Sequence, residues 1–462
     1  MEAENADCFA NVRTNIPFKL GNTIQVVCAI LDAFNKSDYY AYERGDCWHI
    51  GIGSRASLHL DPTGKFVTLS AAEESSTRKV SPSFSDAAKS FVSKYSNPGE
   101  KVFGFVSFNY AFHVRGLHYS PGRWPLVSLM VPRVQITIQN KTVSITGCDS
   151  SYIKSIIDFA EKTREFPNKT VQKDVDTVEN QQLYIKTVEQ ALNTIREHHV
   201  IKVIASRAVP ILGKVDMRAT LRHGRGANTP KRSFSLNHAG FQATGFSPEL
   251  VLLCERGKIL TEPLAGTRAC KGSKVERQKF RHELENDPKE IVEHVISVKE
   301  AIHEFNQVCL PGTVIVEDLM SVRVRGDVQH LGSRVVGLLS SNKSAWDAFD
   351  IAFPSVTASG IPKSPALETI MGLEPNPREL YSGAVLLLED THFFEATLVL
   401  RTVFQDEQRQ WVQVGAGIIS QSNPQRELIE TCEKLESIGP HVVLDDVQHQ
   451  GPTTQGPVKA VP

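Results

Sequence analysis

Short stretches of alternating apolar and polar residues fill most of this chain, and helical spacing punctuates them. Residues 48–70, WHIGIGSRASLHLDPTGKFVTLS, read as strand, strand, a turn at Asp61-Pro62-Thr63-Gly64, and a further strand. FSDAAKSFVSKYS has helical spacing through Ala87, Phe91 and Val92. KVFGFVSFNYAF, LVSLMVPRVQITIQ and TVSITG are strand-like, with a hairpin turn at Gln139-Asn140-Lys141, and SYIKSIIDFAEKT returns to helix. This first part, to about residue 160, reads as an antiparallel α+β scaffold without chemistry of its own.

Residues 165–180, EFPNKTVQKDVDTVEN, are polar and aperiodic, and serve either as a connector or as a loop crossing within one domain. Beyond them, Tyr184, Val188, Leu192 and Ile195 mark an amphipathic helix, and KVIASRAVPIL is a β-branched strand carrying Lys202 and Arg207. FQATGFSPELVLLC turns at Ser247-Pro248. The stretch LTEPLAGTRACKGSKVERQKFRHELENDPKEIVEHV opens as a strand, turns through Leu264–Arg268 and runs into charged helix, with a helix start at Asp287-Pro288. TVIVEDLMSVRVRGDVQHLGSRVVGLL reads as strands with His330 at a bend. SAWDAFDIAF is helical, and PSVTASGIPKSPALETIMGL is a loop entering another helix. YSGAVLLLED, FFEATLVLRTVFQ and WVQVGAGIIS are antiparallel strands before a final helix. Recurrent hairpin signals predict an α+β fold of large antiparallel sheets faced by helices, and disfavour a doubly wound parallel sheet. Residues 448–462 are poor in apolar content and are expected to be a disordered tail.

Bulk properties narrow the partners. Lys+Arg 51 against Asp+Glu 52 gives a formal charge of -1, so no global field attracts nucleic acid or anionic lipid. Eight scattered cysteines contain no C-x-x-C and no zinc spacing, which favours a reducing compartment. The acidic start MEAENADCFANV lacks the layout of a signal peptide, and no apolar run reaches the length of a membrane span. These features predict a cytoplasmic, soluble protein with no nucleic-acid or membrane partner.

Candidate chemistry sits in two carboxylate ladders. Glu290 and Glu293 stand three apart on one helix, Glu427 and Glu430 on another, with Lys434 one turn further on. Either pair alone reads as a solvated helix face. Brought together, they make a hard, oxygen-rich pocket suited to Mg²⁺. Lys202 inside a β-branched strand is costly unless it faces water or a pocket, and desolvation would move it toward a usable base. Glu249, after Ser247-Pro248 and before an apolar strand, would be moved by burial toward a usable acid. Arg401 and Tyr381 could hold a carboxylate between them. Gly415-Ala416-Gly417 is either a strand end needing small residues or an amide cradle. His294 and His330 read equally as satisfied structural histidines. Phosphate loops of the G-x-G-x-x-G and G-x-x-x-x-G-K-[ST] types, H-E-x-x-H and G-x-S-x-G are absent.

The ordered motifs SPELV, EPLAGTRA, KEIVEH, VQHLGS, FPSVTASGIPK, LYSGAV, VGAGII and ETCEKL resemble the chorismate-utilising enzymes, in particular the salicylate synthases of siderophore biosynthesis. The resemblance is dense over 180–440 and extends to the N-terminal part only in general layout. It implies one α+β domain over 1–447, with a scaffold half at 1–170 and a catalytic half at 180–440. It also implies two large antiparallel sheets with helices outside. The reaction it implies is chorismate to isochorismate, then loss of pyruvate to leave salicylate, with Mg²⁺ required. Lys202 then resembles the base that activates water for attack at ring C2, and Glu249 the acid that protonates the departing C4 hydroxyl. Glu293 and Glu430 resemble direct Mg²⁺ ligands, with Glu290 and Glu427 acting through waters. Gly266, Thr267 and Lys434 would help the ring carboxylate to bind. Tyr381, Arg401 and the amides near Gly417 would clamp the pyruvyl carboxylate, and Leu400, Gly415, His330 and Thr357 would line the pocket. Amine-forming relatives typically lack a lysine at the Lys202 position, and those with a covalent lysine carry it where this chain has Ala265. Isochorismate synthases share Lys202 and Glu249 but stop before elimination. An isochorismate synthase, an enzyme like anthranilate synthase component I and a degenerate chorismate-binding protein are the alternatives. The expected partner is chorismate alone, bound by a monomer.

Overall fold

The computed structural model describes residues 14–19, 23–72, 74–81, 83–147, 150–162, 176, 180–326, 328–390 and 392–445. The connector expected at 165–180, apart from Asp176 and Asn180, and the tail from 448 lie outside the described residues.

The fold is α+β, and its strands form one hydrogen-bonded antiparallel network that folds over into two sheets sharing one long pair. The first sheet runs Gly360–Ile361, Lys202–Pro210, Gln410–Ile419, Thr402–Gln405, Phe241–Ser247, Arg232–His238 and Tyr39–Arg44. It continues into residues 47–52 of the strand Cys47–Leu60, residues 134–139 of Val127–Gln139, then Thr142–Thr146 and Thr14–Pro17. The second sheet takes up the other halves of the same two strands, 56–60 and 127–131. On one side it adds Phe66–Ala71 and Glu74–Lys79. On the other it adds Val102–Val106, Ala384–Glu389, Phe393–Leu398, Leu250–Glu255, Lys258–Thr261 and Val328–Leu338. Val328–Leu338 also carries Leu264–Ala269 and Ile315–Arg325.

The change of sheet has a local cause. The register slips between Ser54 and Ala56, where Pro132 stands opposite Ser54. Proline has no N–H to give the ladder, and Gly53 beside it takes φ +64, so the pair bends there into a bulge. Cys47–Leu60 is therefore one strand, not the two that its pattern suggested.

A cluster including Tyr40, Phe105, Phe234, Val385, Phe404 and Trp411 draws on both sheets and packs one against the other. Strands from before residue 150 and from beyond residue 180 are interleaved in each sheet, as Tyr39–Arg44 beside Arg232–His238 and Val102–Val106 beside Ala384–Glu389 show.

Three local expectations change. Leu264–Ala269 is a strand with an irregularity between Ala265 and Thr267, not a turn; Gly266, at φ +79, supplies the kink that read as one. His330 lies within the straight ladder of Val328–Leu338, opposite Thr267, rather than at a bend. In KVFGFVSFNYAF only Val102–Val106 is strand, and Tyr110–Val114 coils into a short helix.

The two helices bearing the glutamates start alike. Asp287 caps Pro288–Asn306, accepting from the N–H groups of Lys289 and Glu290. Asn423 caps Pro424–Leu435 through Gln425 and Arg426. Proline at the first helical position costs no hydrogen bond there, and a carboxylate in the first turn is favoured by the positive end of the helix. Glu290 and Glu427 both occupy that turn.

Candidate active site

Where strands of both sheets meet the two capped helices, one cavity opens, with about 790 Å³ of space not filled by protein atoms. Its lining includes Lys202, Glu249, Gly266, Thr267, Glu290, Glu293, His330, Thr357, Tyr381, Leu400, Arg401, Gly415, Gly417, Glu430 and Lys434. Of the residues that the resemblance assigned to the site, Glu427 alone does not line it. It lies fully buried, with its Oε1 3.0 Å from Lys289 Nζ and its Oε2 without a partner.

Lys202 heads its strand and is 1% exposed. Its ammonium lies 3.0 Å from Glu293 Oε1 and donates to Ser297 Oγ at 3.3 Å. Gly417, on the adjoining strand, makes room for this pair. A Cβ there would fall 2.7 Å from Glu293 Oε1 and 3.1 Å from Lys202 Cε. The need for small residues and the need of the site therefore coincide.

Glu249 is also 1% exposed. Burial pushes its carboxyl up to about 8, against the opposing pull of the Ser355 hydrogen bond, of the nearby Thr357 hydroxyl and of the Lys202 charge. Its Oε1 accepts from Ser355 Oγ at 2.6 Å, and its Oε2 is buried with no partner. At neutral pH this group carries a proton, as a general acid must.

Each of the four glutamates is paired with a cation of the protein. Glu293 meets Lys202, Glu290 meets Arg268 at 2.7 Å, Glu427 meets Lys289, and Glu430 meets Lys434 at 2.8 Å. Their mutual repulsion is still felt. Burial, then Glu293 and Glu430, raise the Glu290 carboxyl despite Arg268; burial and Glu430 raise Glu427. Burial works against the charge of Lys289, but Glu427, Glu430, Glu290 and Glu293 together hold it above the ordinary lysine range. Burial opposes ionisation of Glu430 too, and Lys434 overcomes it, so that carboxyl sits below its ordinary range. As the side chains stand, no three His, Cys, Asp or Glu groups among the described residues converge as a ligand set. The interleaved lysines and arginine hold them apart. Three hard carboxylates on the cavity wall, and a fourth, Glu427, buried within reach of the Glu430 charge with an orphaned oxygen, nonetheless fit Mg²⁺ in donor chemistry.

The opposite wall is built for an anion. Arg401, with φ +50, is buried at the link between Phe393–Leu398 and Thr402–Gln405. Its guanidinium donates to Arg325 O at 3.2 Å and to His330 Nε2 at 2.9 Å, and it has no carboxylate partner among the described residues. Burial, then the charge of Arg325, draws it down to about 10. Arginine can only donate, so His330 Nε2 accepts and Nδ1 bears the hydrogen, facing Gly266 O at 3.3 Å and Thr267 Oγ1 at 3.1 Å. Burial, Arg401 and Lys434 hold that imidazole neutral. Tyr381 is buried nearby, its hydroxyl 3.0 Å from the place a Cβ on Gly415 would take. Lys434 Nζ donates to Gly415 O at 2.8 Å, and Thr357 Oγ1 to Leu264 O at 3.0 Å. A buried cation lacking a counter-charge is a place for a substrate carboxylate.

Ser355, Ser297, Lys289 and Arg268 escaped the sequence reading as working residues. Lys289 and Arg268 each adjoin a residue that was recognised, Glu290 and Thr267, but no spacing rule singles out a hydroxyl or a cation that serves another side chain. His294 is buried off the cavity, its Nε2 2.6 Å from Ser333 Oγ, in the structural role open to it.

A family profile described as chorismate binding enzyme matches residues 37–440. A salicylate synthase of Mycolicibacterium paratuberculosis is 35% identical over 411 residues, covering 88% of this chain and 90% of that protein. Anthranilate synthase component 1 of Saccharolobus solfataricus is 29% identical, covering 73% of this chain and 79% of that protein. Among solved structures, the menaquinone-specific isochorismate synthase of Escherichia coli shares the fold with a TM-score of 0.70 at 19% identity, covering 93% of this chain and 94% of that one. Anthranilate synthase component I of Streptococcus pneumoniae does so with a TM-score of 0.69 at 21% identity, covering 86% and 92%.

Proposed function

Because the chain belongs to the chorismate binding enzymes, we propose that it is a salicylate synthase, which turns chorismate into isochorismate and then into salicylate and pyruvate. The observation that carries this reading is a buried lysine and a buried, protonated carboxyl on the walls of one cavity. The similarity to a protein named salicylate synthase over 88% of the chain supports the choice of product.

In the first step Lys202, acting as the neutral amine once its own proton has left, takes a proton from water as its oxygen bonds to ring C2. Glu249 gives a proton to the C4 hydroxyl, which leaves as water while the ring double bonds shift. One water enters and one departs, so the step is an isomerisation; it leaves Lys202 protonated and Glu249 ionised, and proton return resets both. Arg401, with neutral His330 behind it, and Tyr381 hold the pyruvyl carboxylate. In the second step a ring hydrogen passes to the enolpyruvyl methylene as the ether C–O bond breaks, which gives pyruvate and an aromatic ring. That rearrangement needs a folded side chain and fixed charge rather than an acid or a base. Glu290, Glu293, Glu427 and Glu430 would hold Mg²⁺, which would supply positive charge for the ring carboxylate.

Purified protein given chorismate and Mg²⁺ tests this reading. Salicylate fluorescence with stoichiometric pyruvate supports it. Isochorismate alone would make the protein an isochorismate synthase, anthranilate formed only with ammonia would make it an amine-forming enzyme, and unchanged chorismate would reject all three.

A further inference from the structure

We propose that Ser355 is a positioning residue that directs the proton of Glu249 into the cavity, an inference that rests on reading Glu249 as the acid. Ser355 follows the helix Ala345–Ala352 and is held by its own backbone. Its carbonyl accepts from the N–H groups of Ala358 and Ser359 at 2.8 and 3.1 Å and from Ser359 Oγ at 3.0 Å. That tight turn aims Ser355 Oγ at Glu249 Oε1, 2.6 Å away. An oxygen that accepts so short a bond from a hydroxyl is the poorer place for the acid's own hydrogen. The hydrogen therefore resides on Oε2, which has no partner in the protein and belongs to a residue lining the cavity. Once that proton has gone to the departing hydroxyl, the same serine bond becomes charge-assisted and stabilises the carboxylate left behind.

The segment also ties acid to base. Ser359 O accepts from Ile204 N at 2.8 Å, Gly360 and Ile361 pair with Val203 and Lys202, and Ile361 O accepts from Ile201 N at 2.7 Å. Lys363 Nζ anchors the far end, donating to Ile351 O and Ala352 O, both at 2.9 Å. One short stretch thus supports Glu249 through a side chain and Lys202 through its backbone.

The charged groups that bear on Glu249 are Lys202 across the cavity and Glu262 beyond the strand connection. The other ionisable groups on the walls are His330, Arg401, Tyr381, Lys434 and the cavity glutamates Glu290, Glu293 and Glu430. Replacement of Ser355 changes none of their charges.

The experiment compares wild type, Ser355→Ala and Ser355→Thr as full chains, following isochorismate formation against pH and, separately, salicylate release from supplied isochorismate. Ser355→Ala should slow the first reaction roughly 10- to 100-fold, the worth of one hydrogen bond to an ionising group. Loss of that bond raises the acid further, so the alkaline limb should move to higher pH. Ser355→Thr should restore both rate and limb, while elimination from isochorismate, which needs no acid, persists in all three. An unmoved alkaline limb in Ser355→Ala, or equal loss of both reactions, would overturn the role of Ser355. A wild type that forms no isochorismate would overturn the acid assignment, and this inference with it.

Discussion

Glu249→Gln is the most informative single change, because it should weaken catalysis and strengthen the fold together. The unfolded chain ionises this carboxyl near 4.5, whereas burial in the native state holds it to about 8. Below 4.5 the group is protonated in both states and favours neither. As pH rises from 4.5 toward 8, the unfolded state gives up a proton that the native state must keep. Native stability therefore falls by about 1.36 kcal/mol per pH unit over that window. At pH 7 the cost to the wild type is about 3 kcal/mol. Glutamine is nearly isosteric, keeps an oxygen for the Ser355 hydroxyl, and has no proton to lose, so the variant escapes the cost. With an unfolding entropy of about 1 kcal/mol per kelvin for 462 residues, Tm should rise by about 3 °C at neutral pH. Paired melts of wild type and variant across pH should converge as pH falls to 4.5 and separate above it. Isochorismate formation should meanwhile drop by about 10²- to 10⁴-fold, as for loss of a general acid. A variant no more stable than wild type at neutral pH, or an advantage independent of pH, would refute the assignment of a buried, protonated carboxyl.

Lys202→Ala should abolish isochorismate formation yet still release salicylate from supplied isochorismate; loss of both reactions alike would reject the division of labour between the two steps. Glu430→Gln should weaken Mg²⁺ binding in a calorimetric titration while the melting temperature stays near that of wild type, and unchanged affinity would remove Glu430 from the ligand set. Gly417→Ala should cut isochorismate formation by more than about tenfold with little loss of stability, because its methyl would fall 2.7 Å from Glu293 Oε1 and push the Lys202–Glu293 pair aside. Activity like that of wild type would mean that the pair tolerates displacement.

The hairpins and the helix starts were legible because their causes are local. Asp287-Pro288 announces a capped helix, and the Asn140 and Lys141 turn takes positive φ at both residues, as its hairpin requires. Asn423-Pro424 carries the same start signal. The kink at Gly266 reads as a turn in the sequence because glycine marks any departure from regular φ, whether or not the strand continues. Alternation could not reveal that Cys47–Leu60 runs unbroken, since a bulge interrupts period two just as a loop does. Lys202 stood out because an ammonium among β-branched neighbours demands an explanation. The pairings of Glu290 with Arg268 and of Glu427 with Lys289 were beyond reach. The Glu427–Lys289 pair joins residues 138 apart in the chain, and only tertiary packing decides which cation meets which carboxylate.

The long strand pair common to both sheets constrains how this enzyme can move. Two sheets joined by a shared pair of strands have no flexible loop as a hinge between them, which works against clamshell closure around a ligand. Entry and exit must instead rely on side chains and loops at the rim, while the walls that bear the reacting groups stay in fixed register. Such a scaffold is suited to a substrate that rearranges with little change in bulk, and it would serve poorly for one that must be engulfed.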